Sequence, residues 1–171
     1  MHPFDAAMKE WLTWLRVEKG AAAATISAYR RDLVDFGRDF DPMPAPEAIT
    51  EVEVLRWLSR RAADAISPRS QARGLVALRG LFRYLLDEGR VPLDPTARVD
   101  LPKIGRPLPI TLSVDEVEAL LNAPEANTPR GLRNRAMLEV LYATGLRVSE
   151  LVGIQFSQVH LEAGFVRVMG K

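Results

Sequence analysis

The chain has 171 residues, a near-neutral net charge of +1 and 47% apolar residues, which makes one ordinary domain or two small ones with real cores and excludes a disordered chain. No apolar run approaches the length of a membrane span, no cysteine is present for disulfides or thiolate metal sites, and His2 and His160 are too far apart in sequence for metal-ligand spacing. The opening MHPFDAAMKEW lacks the charged-then-apolar pattern of a signal peptide, so a cytoplasmic protein with no membrane partner is expected.

Charge is unevenly distributed along the chain. Residues 1–55 carry six basic and ten acidic side chains, a net of −4; residues 56–106 carry eleven and five, a net of +6; residues 107–171 carry six and seven, a net of −1. A basic excess confined to the middle predicts one surface that meets an anionic polymer.

The first helix is expected over residues 4–18, with Phe4, Met8, Trp11, Leu12 and Leu15 as its buried stripe and Trp11 and Trp14 as core packing. A second is expected over residues 25–40, where Ile26, Tyr29, Leu33, Phe36 and Phe40 recur three and four apart. Arg30 and Arg31 project beside that seam, and by composition alone they read as a solvated pair. The loop DPMPAPEA follows. Thr50 then caps a third helix, with Glu53 completing a capping box and Val54, Leu55, Trp57 and Leu58 on its apolar side.

The fourth helix is capped by Ser67 with Pro68 at its first position. Leu75, Leu78, Leu81, Phe82 and Leu85 cover one face; Arg69, Arg73, Arg79 and Arg83 fall on the opposite face, within an arc of about 120°. No acidic residue lies between Asp64 and Asp87 to offset them. Solvated faces normally mix both signs, so the single-sign arc favours contact with nucleic acid. Gly80 lies inside the arc at a cost of about 1 kcal/mol. Either a close phosphate backbone or tight packing on another helix would account for it.

Residues 91–110 hold five prolines and little periodicity, and read as an extended linker between a helical domain (1–90) and a second domain (111–171). In the second domain Ser113 and Glu116 make a capping box, with Val117, Leu120 and Leu121 on the apolar face. A further helix runs from about Thr128 to Thr144, with Met137, Leu138, Leu141 and Tyr142 as a core-facing stripe. Gly145 ends it and Arg147 follows between Leu146 and Val148. An unpaired guanidinium is expensive to bury, so an acidic partner or an outside anion is expected there. Residues 158–162 and 165–169 alternate around Ala163-Gly164 and read as a β-hairpin.

These stretches resemble the Xer (XerC/XerD) branch of the tyrosine recombinase, or phage integrase, family. The resemblance rests on LRNRAMLEVLYATGLRVSELVGIQFSQVHLEAGFVRVMGK, and extends to TISAYRRDLVDF, ARGLVALRGLFRYLLDEG, DPTARVDLPKIGRPLP and LSVDEVEALL. ATGLRVSEL is the specific motif among them, and within the branch the XerD members are most similar. The resemblance implies a mainly α fold: a four-helix, SAM-like core-binding domain, then the N-terminal part of an α+β catalytic domain with a β-hairpin, the two domains clamping duplex DNA. It implies strand exchange at a recombination site through a covalent 3′-phosphotyrosine, without metal or other cofactor. The family role is chromosome dimer resolution at cell division, with a partner Xer recombinase in a heterotetramer and a septal DNA translocase as activator.

On the same resemblance Arg147 matches the first catalytic arginine and Lys171 the catalytic lysine of the hairpin turn. Glu150 matches an acidic position that supports them. Beside the resemblance, the first-domain arginines Arg30, Arg31, Arg69, Arg73, Arg79 and Arg83 are the expected DNA contacts. The His-x-x-Arg pair, a further histidine and the tyrosine nucleophile match no residue up to Lys171. Tyr29, Tyr84 and Tyr142 do not stand at the nucleophile's place. A truncated or pseudogene-like fragment, inactive alone, is therefore expected. The alternatives are a non-catalytic DNA-binding protein that occupies recombination sites, and a helical interaction module.

Overall fold

The computed structural model describes residues 2–103, 105 and 110–168. They belong to two compact units, Met1–Arg106 and Pro107–Lys171.

The first unit is built from four helices. Helix α1 (Pro3–Val17) is opened by His2, whose Nδ1 accepts the Phe4 amide. Helix α2 spans Ala23–Gly37, α3 Glu51–Ala63 and α4 Pro68–Asp87. The expected caps form. Thr50 Oγ1 accepts the Val52 amide while Glu53 Oε2 accepts the Thr50 amide at 2.9 Å, and Ser67 Oγ accepts the Ser70 amide. Helix α2 ends at Gly37, earlier than the apolar spacing predicts, and Phe40 packs on the core from beyond the helix.

The expected stripes meet in one core, except that Leu55 of α3 is 46% exposed and lies outside it. Phe36 is its aromatic centre, with Phe4, Phe40 and Trp57 at ring separations of 5.2–5.8 Å. Trp11 stacks on Tyr29 at 5.7 Å. The first part of the stretch expected as a linker, residues 91–99, joins this core. Val91 and Val99 are buried in it, and Thr96 is buried above a turn in which Asp94 Oδ1 accepts both its amide and its hydroxyl. Prolines break the helical period there without detaching the chain from the bundle.

Gly80 has a packing reason. A Cβ on it would stand 2.6 Å from Cζ2 of buried Trp11, and one on Gly74 would stand 2.8 Å from Cη2 of Trp57. Helix α4 thus accepts one indole at each glycine, and the close phosphate is not needed to explain Gly80.

A charged network ties α2, α3 and α4 together. Asp32 and Arg61 are both buried, with their nearest charged atoms 3.4 Å apart. Arg61 also reaches Asp35 at 3.0 Å and the Ser70 carbonyl at 3.1 Å, and its guanidinium lies 4.8 Å from the centre of the Trp57 ring. Arg73 adds a two-point bond to Asp32, and Arg60 pairs with Asp35, Asp39 and Asp64. Burial alone would raise the Asp35 carboxyl pKa. The Trp57 indole N–H, Arg60 and Arg61 outweigh it and hold the carboxyl below the usual carboxylate range.

In the second unit, Ser113 and Glu116 close their capping box on α5 (Val114–Asn122). Thr128 caps α6 (Pro129–Thr144), where a Cβ on Gly131 would collide with the Glu125 carbonyl. Gly145, at φ 64°, ends α6 in the left-handed conformation, and its amide donates to the Leu141 carbonyl at 2.9 Å. Helix α7 is Val148–Val152. The hairpin is shorter than the alternation predicts: β1 (Val159–His160) pairs antiparallel with β2 (Phe165–Val166), in the register Val159 to Val166 and His160 to Phe165. Among the described residues of this unit only Gly131 is buried. Met137, Leu138 and Leu141 are half-buried, but Tyr142 is 65% exposed and Leu120 of α5 47%, which corrects the places expected for them on a core stripe and an apolar face.

All three tryptophans lie in the first unit, so indole fluorescence reports its unfolding. Gly80→Ala gains about 1 kcal/mol of helix propensity but overpacks Trp11, which costs about 1–3 kcal/mol. The urea midpoint read by fluorescence should therefore fall. Arg61→Ala leaves Asp32 and Asp35 short of a partner inside the unit and should cost about 3–5 kcal/mol. Because the Asp35 carboxyl pKa is depressed on folding, its contribution is present at neutral pH. It is lost as the pH falls from its ordinary value of 3.8 through the lower folded value. An acid titration should show this loss below about pH 4, and Asp35→Asn should flatten that limb. Glu53, likewise held low by the Thr50 hydroxyl, keeps some of the slope in place.

Candidate nucleic-acid interface and catalytic arginine

The six arginines expected to contact DNA have different fates. Arg79, half-buried, donates from Nη2 to the Val99 carbonyl at 2.7 Å and the Thr96 carbonyl at 3.2 Å. It clamps the turn onto the bundle, so one edge of the expected basic arc points into the unit. Arg73 binds Asp32 through Nε at 2.8 Å and Nη2 at 3.1 Å. The acidic residue missing from α4 itself is thus supplied by α2. Arg69 and Arg83 remain exposed, with no hydrogen bond or ion pair among the described residues. They stand fourteen residues apart, roughly 21 Å along the axis of α4.

Helix α2 contributes Arg30 and Arg31, both exposed. Arg31 Nη1 bonds Ser27 Oγ at 3.1 Å, one turn back. Arg30 lines a surface hollow of about 250 Å³ together with Lys9, Thr13 and Arg16 of α1. The hollow is lined by three cations and no carboxylate. Lys9 and Arg16 are absent from the expected site because they lie in the segment whose net charge is −4. Their spacing of seven, one helical face, is the signal that could have found them. The unpartnered cations of α1, α2 and α4 can bind an anionic backbone through charge-assisted bonds.

In the second unit Arg147 is the residue just before α7, and its side chain is 71% exposed. The expectation of a costly, enclosed charge is therefore corrected. Its acidic partner is present. Glu150 Oε2 accepts the Arg147 amide at 2.8 Å and Oε1 accepts Arg147 Nη1 at 2.7 Å. One carboxylate thus caps the helix and orients the guanidinium, leaving Nε and Nη2 without a partner among the described residues. Such a fork can grip two oxygens of a phosphoryl group. Lys171 lies outside the described residues.

Comparison with known proteins gives one family match in each unit. The model of the "Phage integrase, N-terminal SAM-like domain" matches residues 8–89 and that of the "Phage integrase family" residues 111–171. The tyrosine recombinase XerD of Pseudomonas aeruginosa is 48% identical over 171 residues, covering 99% of this chain and 56% of that protein. The XerD of Listeria innocua is 41% identical over 165 residues, 95% of this chain and 56% of that protein. The chain thus spans little more than half the length of these relatives. Among solved structures, a lambda integrase tetramer bound to a Holliday junction superposes with a TM-score of 0.76 at 21% identity, covering 96% of this chain and 46% of that one. A Tn1549 transposon integrase in complex with circular intermediate DNA gives 0.69 at 16%, over 91% of this chain and 51% of that one. The helical bundle, the arginine motif with its hairpin and the matches over both units agree, and the chain belongs to the phage integrase, or tyrosine recombinase, family, where it is XerD-like.

Proposed function

We propose that this chain provides the DNA-gripping unit and the arginine-bearing first part of the catalytic unit of a site-specific DNA recombinase. In that enzyme a tyrosine attacks the scissile phosphodiester, forms a 3′-phosphotyrosine and releases a 5′-hydroxyl. The reverse step rejoins strands, so the bond energy is conserved and no external energy source is needed. The observation that carries the reading is the Arg147–Glu150 pair. A guanidinium held at 2.7 Å by a carboxylate, with donors left outward, is built for non-bridging phosphate oxygens. It would stabilise the added charge of the pentacoordinate transition state. Lys171 would protonate the 5′-oxygen as general acid.

The tyrosine and the His-x-x-Arg pair of the family match nothing within these 171 residues, and the relatives are nearly twice as long. Strand cleavage is therefore assigned to a protein of family length. The 48% likeness to a XerD supports a role in resolving chromosome dimers, acting with a second Xer recombinase and a septal DNA translocase. A second reading, a non-catalytic protein occupying recombination sites, draws on one contrast. The first unit has a full core, whereas the second has one buried described residue.

Two measurements test these readings. Binding of the chain to a duplex of arbitrary sequence should weaken steeply with salt. Arg83→Gln should lower the log–log slope by about 0.9, as loss of one phosphate contact requires. Salt-independent or absent binding would remove the DNA reading. In a chain of family length, Arg147→Ala should slow strand cleavage by at least about 10²–10³-fold and leave duplex affinity nearly unchanged. Lost binding with intact residual cleavage would make Arg147 a docking residue instead. A covalent adduct between the 171-residue chain and nicked duplex would show that this chain carries its own nucleophile.

A further inference from the structure

Arg73 differs from every other candidate DNA contact in being neutralised before any ligand arrives. Its Nε and Nη2 face the two oxygens of Asp32 at 2.8 and 3.1 Å. Asp32 is only 4% exposed and is braced from behind by Arg61. Arg61 in turn is fixed by Asp35, the Ser70 carbonyl and the Trp57 ring. Arg73 therefore projects from a rigid, buried base, yet its own side chain is 43% exposed. Its Nη1 has no partner among the described residues.

This geometry suits a different task from phosphate binding. A guanidinium paired with a buried carboxylate has little net charge to offer an anionic backbone, and Arg69 and Arg83 on the same helix are better placed for that. What Arg73 retains is direction. With the Nε side of the fork occupied by Asp32, the Nη1–Nη2 end is the open edge, and two parallel N–H donors there match the O6 and N7 acceptors of guanine in the major groove. The carboxylate fixes the rotamers that a lone arginine would have to freeze on binding. Helix α4, with twenty residues, is about 30 Å long, and a major groove about 12 Å wide admits such a helix.

We infer that Arg73, held by Asp32, reads a guanine edge in the major groove, and is a specificity-determining residue rather than a phosphate contact. The inference rests on the DNA-binding reading above. It adds a base-selective function to a residue pair that otherwise serves only the fold.

The test selects duplexes from a randomised pool with the 171-residue chain and with Arg73→Gln, tryptophan fluorescence verifying that each is folded. The wild-type pool should be enriched in guanine at one position, and Arg73→Gln should lose about tenfold or more of that preference while other positions hold. The salt slope on a fixed duplex should not change. Replacing that guanine by 7-deazaguanine, which lacks the N7 acceptor, should weaken wild-type binding without any change to the protein, so the test survives a variant that fails to fold. A uniform loss of affinity across sequences with the slope reduced by about one would make Arg73 a phosphate contact and overturn the inference. An unchanged preference in Arg73→Gln, or indifference to 7-deazaguanine, would also overturn it. If the wild-type chain bound no duplex at all, the broader DNA reading would fail with it.

Discussion

Asp32 is the constraint around which the first unit is arranged. A carboxylate at this depth is tolerated only if it is paired and hydrogen-bonded. Arg61 from α3 and Arg73 from α4 meet that need from opposite sides. Arg61 can reach it because α3 and α4 approach closely, and they do so where α4 has a glycine. A Cβ on Gly74 would stand 2.8 Å from the Trp57 ring and 3.3 Å from Arg61 Nη1. The ion pair, the indole and the glycine thus form one arrangement. The glycine costs about 1 kcal/mol of helix propensity, which the burial of a large aromatic more than offsets.

The same arrangement sorts the arginines of α4. Counted along the sequence, four of them form one basic face. In the fold, Arg79 is spent on two loop carbonyls and Arg73 on Asp32, while Arg69 and Arg83 have no partner among the described residues. Net charge therefore overstates the electrostatic footprint of this helix. It understates that of α1, whose acidic residues mask Lys9 and Arg16 beside Arg30. A surface for phosphate contacts is better identified by which cations lack an internal partner than by how many lie in a segment.

What was legible in the sequence is local. The capping pairs Thr50–Glu53 and Ser113–Glu116, the glycine stop at Gly145 and the apolar stripes of the bundle depend on neighbours within a few residues, and all but the Leu55 position of α3 form as their spacing predicts. Partners forty residues apart leave no such trace. Asp32 and Arg73 are separated by 41 positions, so the basic arc looked unopposed. The proline-rich stretch misled for a related reason. Its lack of period correctly excludes helix, but Val91 and Val99 are held by core contacts that periodicity cannot register. Tyr142 fits the helical spacing of a stripe, yet spacing assigns a face and not the presence of anything to cover it.

The Arg147–Glu150 pair shows why part of a candidate catalytic site can be read so directly. Its members are three residues apart, one at the start of a short helix and the other within its first turn. The carboxylate is held by the backbone amide at 2.8 Å and in turn holds the guanidinium at 2.7 Å. This closed loop of bonds needs no tertiary core, and it forms in a unit whose described residues bury only one glycine. The exposure of Arg147 then follows without a desolvation cost to explain. For the phosphate contact proposed for it, a guanidinium has to be reachable from outside, and it need only be held in direction. Glu150 supplies direction locally, so the arginine is oriented before its ligand is present and less side-chain entropy is lost when an anion docks.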